Sequence, residues 1–323
     1  CRRGRCNSCG RYFDTNQHFI GGERMKSLEE ILNVEAAAGP FSTGHAVIEQ
    51  TLRDFIQLQS TLIAVGTQVV GVRTVDWLTF KWYSGVDGTF TYPVDDNAVV
   101  EPTHIGTANY EVSLKKGQGR TIFLDSTLLR GESFETLDRQ QLAIVRNRAD
   151  IIDDLILETL IDGAGQSVAV AGGKEWDTAS EDAEANVLSA MDKIFENGRV
   201  SGDEAVVLIV PAKLRSVLLN TTLYGNVVES LADHLRRVAN LTVLYSRNSR
   251  LADTALLLVP GAETAEFFQY NGPGFMETEL TRIPGVGYDW ILSGYMGCVI
   301  HEHQDGAASG KNNRICKITN IAA

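Results

Sequence analysis

Residues 133–163 read SFETLDRQQLAIVRNRADIIDDLILETLIDG. Leu137, Ile144, Val145, Ile151, Ile152, Leu155, Ile156 and Leu160 recur at three- and four-residue intervals, which gathers them on one side of an α-helix. Ser133 stands where an N-cap belongs, and Gly163 where a helix ends. At ~1.5 Å per residue such a helix is a rod roughly 43 Å long, able to serve as a structural spine.

Upstream of the rod the pattern changes. Residues 68–124 break into short β-rich pieces at 79–83, 89–92 and 110–114, punctuated by Gly85, Gly88, Pro93, Asp95, Asp96, Asn97 and Pro102. The middle of this excursion is polar and has too little apolar surface to fold alone, so it is expected to lie against something else. Further back, Ile48, Leu52, Phe55, Ile56, Leu62 and Ile63 predict a packed helix from His45 to Ile63, capped by Ser42 or Thr43. Residues 1–44 read as an arm with a short helix at 27–34, broken by the run that ends at Pro40.

Downstream, helices and strands alternate as in a compact α/β lobe. The pattern predicts a helix over 181–197 stopped by Gly198, a buried strand at 206–210 and a helix from Pro211. A helix over 227–238 and strands at 241–245 and 255–259 follow. The chain returns to strands at 265–270, 275–283 and 290–301, with Asn271, Gly272, Pro273, Pro284, Gly285 and Gly287 as turn formers between them. The fold class expected from this order is α+β.

With 323 residues, 44% hydrophobic and 22% charged, the chain has ordinary globular composition and enough length for two lobes. No apolar run reaches the ~18 residues that a membrane-crossing helix needs, and charges stand where a signal peptide would have its apolar stretch. A soluble protein made in a cytoplasm, with no membrane partner, is the expectation. The net charge of −12 is uneven: Arg2, Arg3, Arg5, Arg11, Arg24 and Lys26 face only Asp14 and Glu23 within the first 26 residues, so the leader carries +4 and the remainder −16. An acidic body argues against a dedicated nucleic-acid reader, which gains affinity by neutralising phosphates. The basic leader suits loose electrostatic contact with nucleic acid, or else a solvated tail.

Cys1, Cys6 and Cys9 crowd the start while Cys298 and Cys316 lie near the end, a distribution unlike a disulfide framework. Cys6 and Cys9 have the CxxC spacing of a metal knuckle, Gly10 follows as a tight turn favours, and Cys1 and His18 complete a four-ligand set. Structural zinc is the cofactor this set would take, and nearby arginines favour the thiolates that bind metal. Free or oxidised thiols are the alternative. The chain opens on Cys1 rather than Met, as a processed or shortened N-terminus would.

Enzyme signatures are incomplete or absent along the chain. AGGKE at 171–175 lacks the first Gly and the hydroxyl residue of a phosphate loop and reads as a turn; GxGxxG, GxSxG and HExxH do not occur. His301 and His303 would share one face of a strand and suit a metal with a third ligand, but a strand end with surface histidines is the commoner meaning. No catalytic residue is expected.

The element order, from arm through helix, β excursion, long acidic helix and α/β lobe to a strand-rich return, resembles the Hong Kong 97 type of major capsid protein. The local matches are Lys115 through Leu124 into the helix near Ser133, LIDGAG at 160–165, LIVPAKLRSVL at 208–218, and the return GPGFMETELTRIPGVGYDWILSGYMGCVIHEH. The resemblance covers residues 45–303 and rests on element order more than on one diagnostic motif. It implies an N-terminal arm over 1–44 holding the zinc knuckle, and a P-domain helix over 45–75. An E-loop over 76–124, a P-domain spine helix over 125–165, an α/β A-domain over 166–264 and P-domain return strands over 265–323 complete the chain.

The implied function is self-assembly into pentamers and hexamers of an icosahedral shell around double-stranded DNA, with decoration, portal and scaffold proteins as further partners. Assembly would take place in the host cytoplasm and the product would be the virion capsid. In this family the A-domain loops converge at capsomer centres, which here points to residues 220–226 with Leu223 and Tyr224. Some members weld their shells by a Lys–Asn isopeptide bond; Lys81, Lys115, Lys116, Asn312 and Asn313 are the residues in question, and no spacing singles out a reactive pair. The alternatives are an encapsulin shell around protein cargo and, more distantly, a cytosolic α/β enzyme with an appended zinc module.

Overall fold

The structure, a computed structural model, describes residues 19–20, 23–24, 64–85, 107–124, 133–177, 183–198, 200–201, 204–224, 227–270, 278–301 and 310–322. The chain divides into two units, Cys1–Leu52 and Arg53–Ala323. Of the first, a short antiparallel hairpin is described, β1 (Phe19–Ile20) against β2 (Glu23–Arg24). The helices expected at 27–34 and 45–63 and the strand expected at 89–92 lie outside the described residues.

The second unit opens with β3 (Val70–Val75), β4 (Thr79–Gly85), β5 (Thr107–Ser113) and β6 (Lys115–Leu124), followed by the spine helix Ser133–Asp162. Next come β7 (Ala164–Ala169), the helix Ala183–Asn197, β8 (Val206–Pro211), β9 (Thr221–Tyr224), β10 (Val227–Ser230) and the helix Leu231–Ala239. β11 (Leu241–Ser246), β12 (Thr254–Leu258), β13 (Gly261–Tyr270), β14 (Thr278–Ile283), β15 (Gly287–Ile300) and β16 (Asn312–Thr319) close the unit.

β8 reads VVLIVP and is buried throughout, as is TALLL in β12. Side chains alternate across a strand, so each of these sends residues into two cores. Val206, Leu208, Val210, Ala255 and Leu257 enter one; Val207, Ile209, Leu256 and Leu258 enter the other. A sheet apolar on both faces must be covered on both. The sheet has the order β11-β8-β12-β16-β7. One face is roofed by the helix Ala183–Asn197 through Val187, Ala190 and Ile194, and by the helix Leu231–Ala239 through Leu231 and Leu235. The spine helix covers the opposite face with Ile152, Ile156 and Leu160, joined by Ala265 and Phe267 of β13.

The spine helix spans 30 residues, close to the expected bounds. Its apolar stripe is turned from the expected one: Val145, Ala149, Ile152, Ile156, Leu157 and Leu160 are buried, whereas Ile151 is 53% exposed. Ile151 lies about 100° round the helix from Ile152 and so leaves the core-facing side. Among the polar residues of the same helix, Asp153 turns inward and accepts the backbone N–H groups of Val65 (3.1 Å) and Gly66 (2.6 Å), which ties the start of the described second unit to the spine.

A second sheet has the order β14-β15-β13-β3, and β6 pairs with β15 from Lys115 opposite Met296 to Leu124 opposite Gly287. One expectation needs correction. Residues 227–238 are not one helix: β-branched Val227 and Val228 lie in β10, and the helix begins only after Ser230, whose hydroxyl oxygen accepts the Asp233 N–H at 3.2 Å. β16, within the stretch 265–323, pairs with β12 and β7 in the central sheet. Its alternation explains this, since Cys316 and Ile318 enter the first core and Ile315 the second.

Where β7 runs beside β16 the backbones approach closely at Gly165. An added Cβ there would fall 2.5 Å from Asn313 Oδ1 and 2.6 Å from the Asn312 carbonyl oxygen. Gly165→Ala is therefore predicted to destabilise the fold by about 1–3 kcal/mol through overpacking. Chemical denaturation reads this as a lower midpoint at unchanged slope, and an unshifted midpoint would contradict the close approach.

Candidate assembly surfaces

Two β structures, β9–β10 and β4–β5, are two-stranded sheets separate from the two five-stranded ones, and each is anchored by a distinct set of contacts. The first is the β9–β10 hairpin, with Tyr224 opposite Val227 and Thr221 opposite Ser230. Alternation along β10 turns Glu229 toward the following helix and leaves Val228 71% exposed. Glu229 Oε1 accepts from Arg237 Nη2 at 2.5 Å and meets His234 Nδ1 at 2.7 Å. The other ring nitrogen of His234 lies 3.1 Å from Glu184 Oε1 on the helix Ala183–Asn197. The Arg237 hydrogen bond, then that of His234, hold the Glu229 carboxyl at about 2, against the opposing effect of burial. The hairpin is thus braced against two helices by charge.

The second structure is the β4–β5 ribbon, paired from Thr79–Ser113 to Gly85–Thr107 and leading to residues 86–106, outside the described set. Its base is fixed to the second sheet by Phe80, whose ring meets Phe268 edge-on at 4.9 Å, and by buried Leu114, which packs with Phe268 and Tyr270. The Leu114 N–H donates to the Leu78 carbonyl at 2.9 Å. Beside this anchored base Trp77 is 72% exposed. Single exposed apolar residues are common, but a tryptophan at the root of a separate ribbon suits a surface that another protein covers.

Cys1, Cys6, Cys9 and His18 lie outside the described residues. Among the described residues no group of three or more His, Cys, Asp and Glu is arranged to hold a metal ion. His301 follows β15 directly, its backbone N–H donating to the Thr264 carbonyl at 3.3 Å; burial first, then Arg73, lowers its proton affinity. Glu302 and His303 are outside the described set. AGGKE is a turn, as expected: Gly173 has φ +79° and donates its N–H to Glu175 Oε1 at 2.9 Å, a carboxylate where a phosphate loop would need an anion site.

Lys81, Lys115 and Lys116 are exposed, but the two asparagines face inward. The Asn312 amide donates to the carbonyls of His301 at 2.6 Å and of Glu263 and Thr264 at 3.3 Å, pinning β16 to the ends of β13 and β15. Asn313 Oδ1 accepts from Gln166 Nε2 at 3.0 Å. The residues that brace the hairpin were not singled out by the sequence patterns. Ser230-Leu-Ala-Asp233, a capping-box spacing, is the local signal that marks the true start of the helix and puts Glu229 on a strand.

A spine helix under a two-faced α/β sheet, a return sheet and two separate ribbons together form the Hong Kong 97 type of capsid fold. Solved structures agree. The capsid of a native GTA particle matches with TM-score 0.55 at 12% identity, over 82% of this chain and 91% of that one. A virus-like particle from Pyrococcus furiosus matches with TM-score 0.53 at 10% identity, over 83% and 97%. The mature capsid of bacteriophage PhiM1 matches with TM-score 0.54 at 10% identity, over 79% and 86%. Among curated proteins none matches. The family described as phage capsid protein matches residues 109–308, and the chain belongs to that family. It is a structural protein of the phage capsid that assembles with further copies of itself. No helix among the described residues is long and apolar enough to cross a membrane.

Because the Asn312 and Asn313 side chains are engaged inside the fold, neither is placed to form an isopeptide bond with a lysine of another copy. Particles boiled in denaturant are predicted to show no ladder of multiples that depends on Asn312 or Asn313. A ladder of multiples that disappears in Asn312→Asp or Asn313→Asp would contradict this.

Proposed function

We propose that this chain is the major capsid protein of a double-stranded DNA phage, arranged as pentamers and hexamers of an icosahedral shell. The observation that carries the reading is the placement of exposed Val228 on a hairpin that charged contacts brace against the body. An exposed apolar side chain on a hairpin braced against the helices of the α/β lobe suits contact with neighbouring copies around a capsomer axis. The β4–β5 ribbon leads into residues 86–106, which would reach over an adjacent subunit as an E-loop. In this reading residues 1–44 are the arm, the spine helix and second sheet form the P-domain, and the central sheet, including β16, forms the A-domain.

No step in this function is chemical; it consists of fitting surfaces together. The leader of net charge +4 suits loose contact with packaged DNA, while the acidic remainder disfavours tight binding. Portal, scaffold and decoration proteins are further partners in this reading. Purified particles that protect double-stranded DNA from nuclease support the phage role, and particles holding only a protein cargo would replace it with a nanocompartment. Val228→Glu places a charge in the proposed contact. It is predicted to leave unfolding within about 0.5 kcal/mol of wild type, as exposed substitutions do, while reducing the yield of closed shells at least tenfold. Wild-type shell yield from this variant would remove the hairpin from the contact.

Zinc held by Cys1, Cys6, Cys9 and His18 is the cofactor proposed for the leader, where it would give a segment with little core of its own a fixed shape. Metal analysis of washed particles should then find about one zinc per subunit, and less than about half would end the idea.

A further inference from the structure

The brace of the β9–β10 hairpin contains an imidazole in an unusual position. Both ring nitrogens of His234 meet carboxylate oxygens: Nδ1 lies 2.7 Å from Glu229 Oε1, and Nε2 lies 3.1 Å from Glu184 Oε1. An ionised carboxylate accepts hydrogen bonds and donates none, and a neutral imidazole has a single N–H. Both contacts can be hydrogen bonds at once only when His234 carries two ring protons. We propose that His234 is a proton-operated clasp that joins β10, its own helix and the helix Ala183–Asn197, so that the charge of one side chain sets how firmly the hairpin is held. The proposal rests on the reading of that hairpin as a contact between copies and adds its regulation.

The groups around the ring define two states. Glu229 faces it from β10, Glu184 from the helix Ala183–Asn197, and Arg237 from the next turn of its own helix, with Nη2 3.2 Å from Nδ1. Asp233, also on that helix, is turned away to the Ser230 hydroxyl, which donates to it at 2.6 Å. With two protons, His234 donates to both carboxylates and links three elements. With one proton the ring donates to a single carboxylate and turns a bare lone pair to the other; with that proton on Nε2, the Nδ1 lone pair confronts Glu229 Oε1, with Arg237 Nη2 as a donor 3.2 Å away. The hairpin then keeps Arg237 as its anchor and loses His234.

The pH range follows from the carboxylate. Glu229 is held at about 2, below its ordinary 4.5, so its contribution to stability is complete above 4.5 and is lost only as pH falls toward 2. Glu229 therefore keeps its charge over about pH 5–8, the range in which histidine side chains ordinarily change theirs. The ring is also enclosed, its side chain 13% exposed, with a carboxylate oxygen at each nitrogen.

Hydrogen exchange of the 221–230 amides in the free, full-length subunit tests the clasp, measured from pH 5 to 8 and corrected for intrinsic exchange. Wild-type protection is expected to fall about tenfold as pH rises, the equivalent of one charge-assisted hydrogen bond. His234→Gln is expected to exchange at the high-pH level throughout, and His234→Arg, which keeps a cation between the carboxylates, to lose the pH dependence. Nitrogen NMR of the wild-type ring needs no variant: it should show two ring protons at the acidic end and one, on Nε2, at the basic end. Flat wild-type protection, a ring with one proton at pH 5, or a His234→Gln profile that titrates like wild type would overturn the clasp. These readings come from unassembled subunits, so they can fail while the Val228 contact stands, and the converse.

Discussion

β8 and β12 are apolar on both faces, and the rest of the second unit is arranged to keep water from both. Val206, Leu208 and Val210 point one way and Val207 and Ile209 the other, so no single layer can bury the strand. At about 25 cal/mol per Å2 of apolar surface, leaving either face open would forfeit much of the stability of the fold. The spine helix is needed on one side and the helices Ala183–Asn197 and Leu231–Ala239 on the other. Phe267 and Ala265 bring the second sheet into the same core as the spine. The two sheets are consequently joined through packed side chains and also through the buried Asn312 amide.

A body constructed in this way has few means of adjusting its shape internally, because close-packed cores transmit strain rather than absorb it. The β4–β5 ribbon and the β9–β10 hairpin are the parts that depend least on the core. The ribbon is rooted on Phe80 and Leu114, and the hairpin is held by ion pairs. Arg250 adds a further link across the body, bonding Asp154 at 3.0 Å and Glu158 at 3.3 Å on the spine helix. This exposed pair is worth little on its own, in contrast to the apolar packing beneath it.

Local periodicity made the spine helix, β8, β11 and β12 legible, because each buries its residues in a pattern repeated along a single element. Ile151 was misplaced because two adjacent apolar residues, Ile151 and Ile152, cannot both lie at the centre of one helical stripe, and tertiary packing decides between them. The partnership of β16 with β7 and β12 depends on pairing across more than fifty residues, which no local window reports. The hairpin brace failed to emerge for the same reason: Glu184 and His234 are fifty positions apart in sequence and 3.1 Å apart in space. Val227 and Val228 were drawn into a helix although their β-branched side chains and the Ser230 cap favour the strand that forms. The capsid role was legible only in the order of elements, since assembly surfaces carry no motif comparable to a catalytic constellation.

An electron micrograph of the purified full-length protein in negative stain tests the central claim most directly. Closed shells of uniform diameter, each of megadalton mass, are the predicted result. A field containing only small particles, with monomers or small oligomers by sedimentation at every concentration, would contradict it.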